Sequence, residues 1–242
     1  MCGIVGYIGY REAYPIVIKG LKRLEYRGYD SAGIMLYDGS DVKISKTKGK
    51  VSDLEEKSKT IASSKATIGM GHTRWATHGI PNDENSHPHI SNSGKLVIVH
   101  NGIIENYNTL KKELLTRGYT FKSDTDTEIL INLIEEVQKK NNCSLEKAVQ
   151  LALTNAVGAY AIAVFDVSKP DEIIVARLGS PIAIGIGENN EEFFVASDAS
   201  PFIEYTKDAV YLDDEELAII KIGEDIRIHK IHDNSIVEPN IQ

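Results

Sequence analysis

Apolar residues along the chain fall into short unbroken runs near both ends and into a three-and-four spacing in the middle. The run Gly3 to Gly9 is glycine-punctuated and predicts a buried strand. From Glu12 to Glu25, Ile16, Val17, Leu21 and Leu24 recur at helical spacing, with Pro15 tolerable in the first turn, which predicts a helix against a sheet. Ala32 to Tyr37 and Val42 to Ser45 predict strands around an Asp38-Gly39 turn, and the polar stretch Ser52 to Ser64 predicts an exposed helix. Ile68 to Thr73 and Leu96 to His100 predict two further strands. Between them Pro81, Asn82, Asn85, Pro88, Asn92 and Gly94 mark a turn-rich loop. Loops longer than about 12 to 15 residues are uncommon in compact domains and are usually functional or disordered.

After Asn108 the spacing becomes helical three times: Leu110, Leu114 and Leu115; Ile129, Leu133, Ile134 and Val137; Leu145, Val149 and Leu153. Gly118 stops the first. Thr125 with Glu128 has capping-box spacing for the second, and Ser144 is an N-cap for the third. Strand signals then return at Ala159 to Phe165, Glu172 to Ala176, Ile182 to Ile186, Phe193 to Ala196, Glu216 to Ile222 and Asp225 to Ile231. Strands, then helices, then strands with short turns predict one α+β domain of packed sheets rather than a doubly wound parallel sheet.

Composition narrows the partners. The 242 residues are 42% hydrophobic and 26% charged, an ordinary globular balance. Net charge is −8, and no stretch gathers the Lys/Arg density that a nucleic-acid backbone or an anionic membrane would require. The longest apolar stretch, around Ala156 to Phe165, falls well short of the roughly 20 residues that span a bilayer. The N-terminus lacks the basic and long apolar regions of a secretory signal, so a cytosolic chain is expected. With only Cys2 and Cys143 present, no disulfide framework is indicated.

Cys2 follows only Met1. Removal of Met1 would place a thiol of pKa about 8.5 beside its own α-amine of pKa about 7.7 to 8.0, a nucleophile and a base on one residue. The alternative is a small buried cysteine in the first strand. Five of the seven histidines lie between His72 and His100, which raises a zinc-binding module as a second reading, but no HExxH or CxxC pattern accompanies them. Asn101-Gly102 is either a hairpin turn or a pair of N–H donors aimed at an oxyanion. Arg74 and Asp126 are either surface charges or partners for the carboxylate and ammonium of an amino acid.

Five stretches taken together, Cys2 to Gly9, Leu24 to Ile34, Gly71 to Gly79, His87 to His89 and His100 to Asn106, resemble the N-terminal-nucleophile (class II) glutamine amidotransferases over essentially the whole chain. The runs Tyr26 to Ser31 and Arg74 to Gly79 look like the branch whose ammonia serves glucosamine 6-phosphate synthesis from fructose 6-phosphate, rather than the phosphoribosyl or asparagine-forming branches. The resemblance implies a four-layer αββα sandwich of two mainly antiparallel sheets. It implies Cys2 as nucleophile after Met1 removal, Asn101 and Gly102 as oxyanion hole, and Arg27 beside the nucleophile, orienting its amine through the main chain. Arg74 would bind the α-carboxylate of L-glutamine, with Thr77 and His78 on the same loop, and Asp126 its α-ammonium; Trp75 would gate ammonia passage. No cofactor or metal is implied.

On this resemblance residues 1–242 form one glutaminase domain. Full-length enzymes of that branch continue into two sugar-isomerase domains, which accept the ammonia in a homodimer; nothing here corresponds to them, so ammonia release to solvent is expected. The loop from Arg74 to about His89 is expected to order over bound glutamine, against the alternative of a rigid loop pinned by His87-Pro88-His89. A non-catalytic domain retaining only the fold is the remaining alternative.

Overall fold

The unbroken apolar runs become strands covered on both faces, as every residue of Gly3–Ile8 and Ser31–Tyr37 is buried. A computed structural model describes residues 2–62 and 65–242. The expected loss of Met1 and the last two residues of the helix predicted over Ser52 to Ser64 lie outside the described residues. In chain order the elements are β1 (Gly3–Ile8), α1 (Ala13–Leu24), β2 (Ser31–Tyr37), β3 (Val42–Lys48), α2 (Val51–Lys57), α3 (Lys59–Ala62), β4 (Ile68–Arg74), β5 (His89–Ile90) and β6 (Leu96–Ile104). Then follow α4 (Tyr107–Thr116), α5 (Asp126–Asn141), α6 (Leu145–Leu153), β7 (Gly158–Asp166), β8 (Glu172–Leu178), β9 (Ala183–Ile186), β10 (Phe193–Ala196), β11 (Ala209–Tyr211), β12 (Glu216–Lys221), β13 (Arg227–Lys230) and β14 (Ile236–Val237).

The strands form two seven-stranded sheets, β11-β9-β10-β1-β4-β2-β3 and β14-β13-β12-β8-β7-β6-β5. Neighbouring strands pair antiparallel, β1 lying between β10, with Val5 opposite Ala196, and β4, with Val5 opposite Gly71. Alternation sorts the side chains into layers. Ile4, Ile8, Met35 and Met70 face Val97, Val99, Ala163 and Phe165 across the space between the sheets. Val5, Tyr7, Ile34 and Leu36 point the other way, onto Val17 and Leu21 of α1. Ile98, Ile162 and Val164 meet Ile129, Leu133 and Val149 of the second helical layer. The order helix, sheet, sheet, helix is the αββα sandwich implied by the resemblance.

Local helix signals hold. Thr125 Oγ1 accepts from the Glu128 N–H, Ser144 caps α6 through the Lys147 N–H, and Gly118, at φ +86°, follows the end of α4. The polar stretch after Lys50 departs from expectation: it breaks into α2 and α3, and Val51 and Leu54 are buried against the first sheet's outer face. Strands β5, β11 and β14 were not foreseen, because two or three residues carry no readable period. Among the described residues no helix is long and apolar enough to cross a membrane.

Candidate active site

Cys2 directly precedes β1, an interior strand of the first sheet; Arg74 ends β4 beside it; Asn101 and Gly102 lie in β6 of the second sheet; Asp126 opens α5. These four elements converge at one end of the sandwich. There Cys2, Arg74, Trp75, Thr77, His78, Gly102 and Asp126 line a narrow crevice. Residues more than 120 apart in sequence are thereby brought together.

The Cys2 thiol faces the Trp75 backbone, whose N–H donates to Sγ at 3.2 Å. Burial pushes the thiol pKa up, and the Trp75 N–H opposes this by stabilising the thiolate. A thiol so raised needs a base close by to react near neutral pH. The Cys2 carbonyl accepts from Arg27 Nε at 3.1 Å and Asn101 Nδ2 at 3.2 Å. Arg27 is itself paired with Asp198 at 3.3 Å, so it holds the nucleophile by its main chain. The exposed Trp75 ring packs on Gly28, where a Cβ would lie 2.9 Å from Cε3 and φ is +90°.

Asn101-Gly102 is not a turn. Strand β6 runs on past His100 to Ile104, with Asn101 opposite Ala161 and Gly102 opposite Tyr160. Asn-Gly is a strong local hairpin signal, and here the long-range pairing with β7 overrides it. Glycine is required at 102, where φ is +125° and a Cβ would sit 2.0 Å from the Ala159 carbonyl oxygen. Gly102 lines the crevice, while Asn101 is buried beside it.

Arg74 is 3% exposed, and its guanidinium donates to the carbonyls of His78 and Gly79, holding the start of the following loop. Among the described residues no carboxylate forms an ion pair with it, so its charge is available to an anionic ligand. Asp126 Oδ2 accepts from the Ile104 N–H at 2.7 Å. Thr77 is exposed at the crevice, and the His78 ring meets Tyr107 edge-on at 4.8 Å. The loop divides in two: Trp75 and Ile80 are exposed, whereas Asn85, Ser86 and His87 are buried and Asn85 is bonded to the Asp124 N–H.

Four of the clustered histidines are scaffold. His72 stacks on His87 at 4.2 Å, His87 meets His89 at 4.9 Å, His100 bonds Thr127 at 2.9 Å, and His89 bonds Thr125 at 3.0 Å. Among the described residues no group of three or more His, Cys, Asp or Glu side chains is arranged to hold a metal. Burial pushes His72 down to about 3 and lowers His87, His89 and His100 as well. In the unfolded chain these rings take up protons below about pH 6.5, while the folded chain does not, so stability is complete above that pH and falls as pH drops toward the folded value. His72 alone should cost about 2 kcal/mol by pH 5. Denaturant unfolding midpoints measured from pH 7.5 to 5 should therefore drop steadily below 6.5; a flat profile would count against neutral burial.

Sequence reasoning missed Ser197 and Asp198, which follow β10 and reach Asn101 and Arg27. It also missed Thr125 and Thr127 on the crevice wall. A serine or threonine beside a strand or in a helix cap carries no signal of its own.

In this αββα sandwich the cysteine at the start of an interior strand has Asn101 bonded to its carbonyl and Gly102 on the wall of the same crevice. A family model for the glutamine amidotransferase domain matches residues 57–228, more than half of the chain, and the chain belongs to that family. Among curated proteins it is similar to the glutamine–fructose-6-phosphate aminotransferase (isomerizing) of Bacteroides thetaiotaomicron, 57% identical over 231 residues, which are 94% of this chain and 37% of that one. The enzyme of the same name from Chlorobaculum tepidum is 54% identical over 224 residues, 91% of this chain and 36% of that one. The chain thus spans little more than a third of the length of these relatives. Among solved structures, the glutamine phosphoribosylpyrophosphate amidotransferase of B. subtilis superimposes with TM-score 0.80 at 28% identity, covering 96% of this chain and 50% of that one. A structure described as the allosteric regulatory enzyme of purine biosynthesis gives TM-score 0.81 at 30% identity, with the same coverage.

Proposed function

We propose that the chain hydrolyses L-glutamine to glutamate and ammonia through a γ-glutamyl thioester on Cys2. The observation that carries this is the crevice itself, which the Cys2 thiol, Gly102, Arg74 and Asp126 line together, with Asn101 bonded to the Cys2 carbonyl beside it. One cationic and one anionic side chain beside a thiol suit an amino acid held by its α-groups, with its side-chain amide presented to sulfur.

With Met1 removed, the Cys2 α-amine takes the thiol proton and sulfur adds to the carboxamide carbon. The carbonyl electron pair moves to oxygen, where Asn101 Nδ2–H and Gly102 N–H stabilise it. Arg27 keeps the Cys2 carbonyl satisfied while Asn101 serves the oxyanion. Collapse breaks the C–N bond, and the α-ammonium gives its proton to the leaving ammonia. Water then adds to the thioester, losing its proton to the same amine, and glutamate departs as the thiol re-forms. Closure of residues 75–84 over the substrate would keep bulk water away from the thioester, and Trp75 stands at the exit taken by ammonia.

In a longer enzyme this reaction would supply ammonia for glucosamine 6-phosphate synthesis from fructose 6-phosphate on sugar-isomerase domains, in a cytoplasmic homodimer. Residues 1–242 would be its glutaminase domain. The names and lengths of the curated relatives support that assignment. Mass spectrometry after treatment with a glutamine-mimicking electrophile should find one adduct, on Cys2, in protein with a free Cys2 amine, and excess glutamine should suppress it. Absence of that adduct would overturn the reading.

A further inference from the structure

Resting on the glutaminase reading, we propose that His72 and Ser197 are positioning residues for the Asn101 carboxamide, His72 selecting the one orientation able to serve the oxyanion and Ser197 holding it in place. The two ends of a carboxamide have nearly the same shape and opposite hydrogen-bonding character. A half-turn about the last bond of Asn101 would aim an oxygen lone pair, rather than an N–H, at the developing negative charge. Something must therefore select the orientation, and Asn101 is only 5% exposed, so water does not do it.

Both ends are met by partners, and two of these, the His72 N–H and the Cys2 carbonyl, have fixed hydrogen-bonding character, whereas the Ser197 hydroxyl holds the amide in place. Oδ1 lies 2.8 Å from His72 Nε2, and Nδ2 donates to Ser197 Oγ at 2.9 Å and to the Cys2 carbonyl at 3.2 Å. His72 Nε2 also faces the His100 carbonyl oxygen at 3.0 Å. A carbonyl oxygen only accepts, so Nε2 carries the hydrogen and Nδ1, buried without a partner, keeps the lone pair. Burial holds the ring neutral, which preserves this tautomer. Stacking on His87 at 4.2 Å keeps the ring from turning.

Ser197 is fixed just as firmly. Its Oγ accepts the Ile4 N–H at 2.8 Å, and its own N–H donates to the Ile4 carbonyl at 3.1 Å, which ties it to β1 two residues from the nucleophile. A flipped Asn101 would set its NH2 against the His72 N–H and its oxygen against the Cys2 carbonyl. Two buried mismatches would replace satisfied bonds.

The test is a double-mutant cycle on glutamine hydrolysis, in protein with a free Cys2 amine. Asn101→Ala sets the scale, with an expected loss of about 10² to 10³ in kcat. His72→Ala and Ser197→Ala should each lower kcat by about 10- to 100-fold through donor misplacement, with KM for glutamine unchanged. Either change added to Asn101→Ala should cost nothing further. His72→Gln, which returns an N–H donor toward Oδ1, should recover most of the rate. If the losses multiply in the double variants, or appear in KM alone, positioning is overturned while the oxyanion reading stands. If Asn101→Ala leaves kcat unchanged, both fall. Should His72→Ala not fold, the Ser197→Ala arm and the His72→Gln rate decide the matter.

Discussion

Cys2→Ala is expected to lower glutamine hydrolysis by about 10⁴- to 10⁶-fold, the scale on which removal of an attacking nucleophile is felt. Among the described residues no other thiol lines the crevice: Thr77, Thr125 and Thr127 offer only hydroxyls, and burial keeps His72, His87 and His100 neutral. The fold should survive, because Cys2 precedes β1 and its backbone contacts to Arg27 and Asn101 do not involve sulfur. Retention of Met1 should be nearly as damaging. It turns the α-amine into an amide that cannot accept the thiol proton, while burial has already raised the thiol pKa. Ammonia release by the alanine variant within tenfold of the parent would remove Cys2 from the mechanism.

Asp126→Asn is expected to weaken glutamine binding by roughly 2 to 5 kcal/mol, a rise in KM of about thirtyfold or more. This substitution separates charge from scaffold. Asparagine still offers an oxygen to the Ile104 N–H that Asp126 now holds at 2.7 Å, so β6 keeps its anchor. What disappears is the counter-charge for the substrate ammonium. Arg74 is a less clean target, because its guanidinium also ties down the carbonyls of His78 and Gly79. Saturation kinetics of the asparagine variant should show the change in KM with a much smaller change in kcat. An unaltered KM would send the ammonium site elsewhere.

How much was legible depended on range. The caps at Thr125 and Ser144 were readable because a helix end is specified by residues three apart. The layer order followed from runs of strand and helix signals. Asn101-Gly102 shows where local reading fails, since the dipeptide alone favours a turn and only pairing with β7 makes it the middle of a strand. The histidine cluster fails in the same way: density in sequence suggested a metal, whereas the fold sends four of the five rings into buried stacks and hydrogen bonds. Taken singly, Cys2 reads equally as a buried strand residue and Arg74 and Asp126 as surface charges. Their functional reading came from resemblance, because no short-range pattern brings positions 2, 74 and 126 into one crevice. Ser197 had no signal at all, since its importance lies in where β10 ends.

The interior position of β1 also bears on when the Cys2 end of the chain is enclosed. One neighbour, β4, is complete at residue 74, but the other, β10, ends at residue 196. At about 5 to 20 residues per second, a ribosome needs roughly 10 to 40 s to deliver both flanks. Throughout that interval β1 lacks the partner on its second side. Closure around the Cys2 end of the strand is thus set by chain length. The segment that completes it also brings Ser197 and Asp198, which reach Asn101 and Arg27.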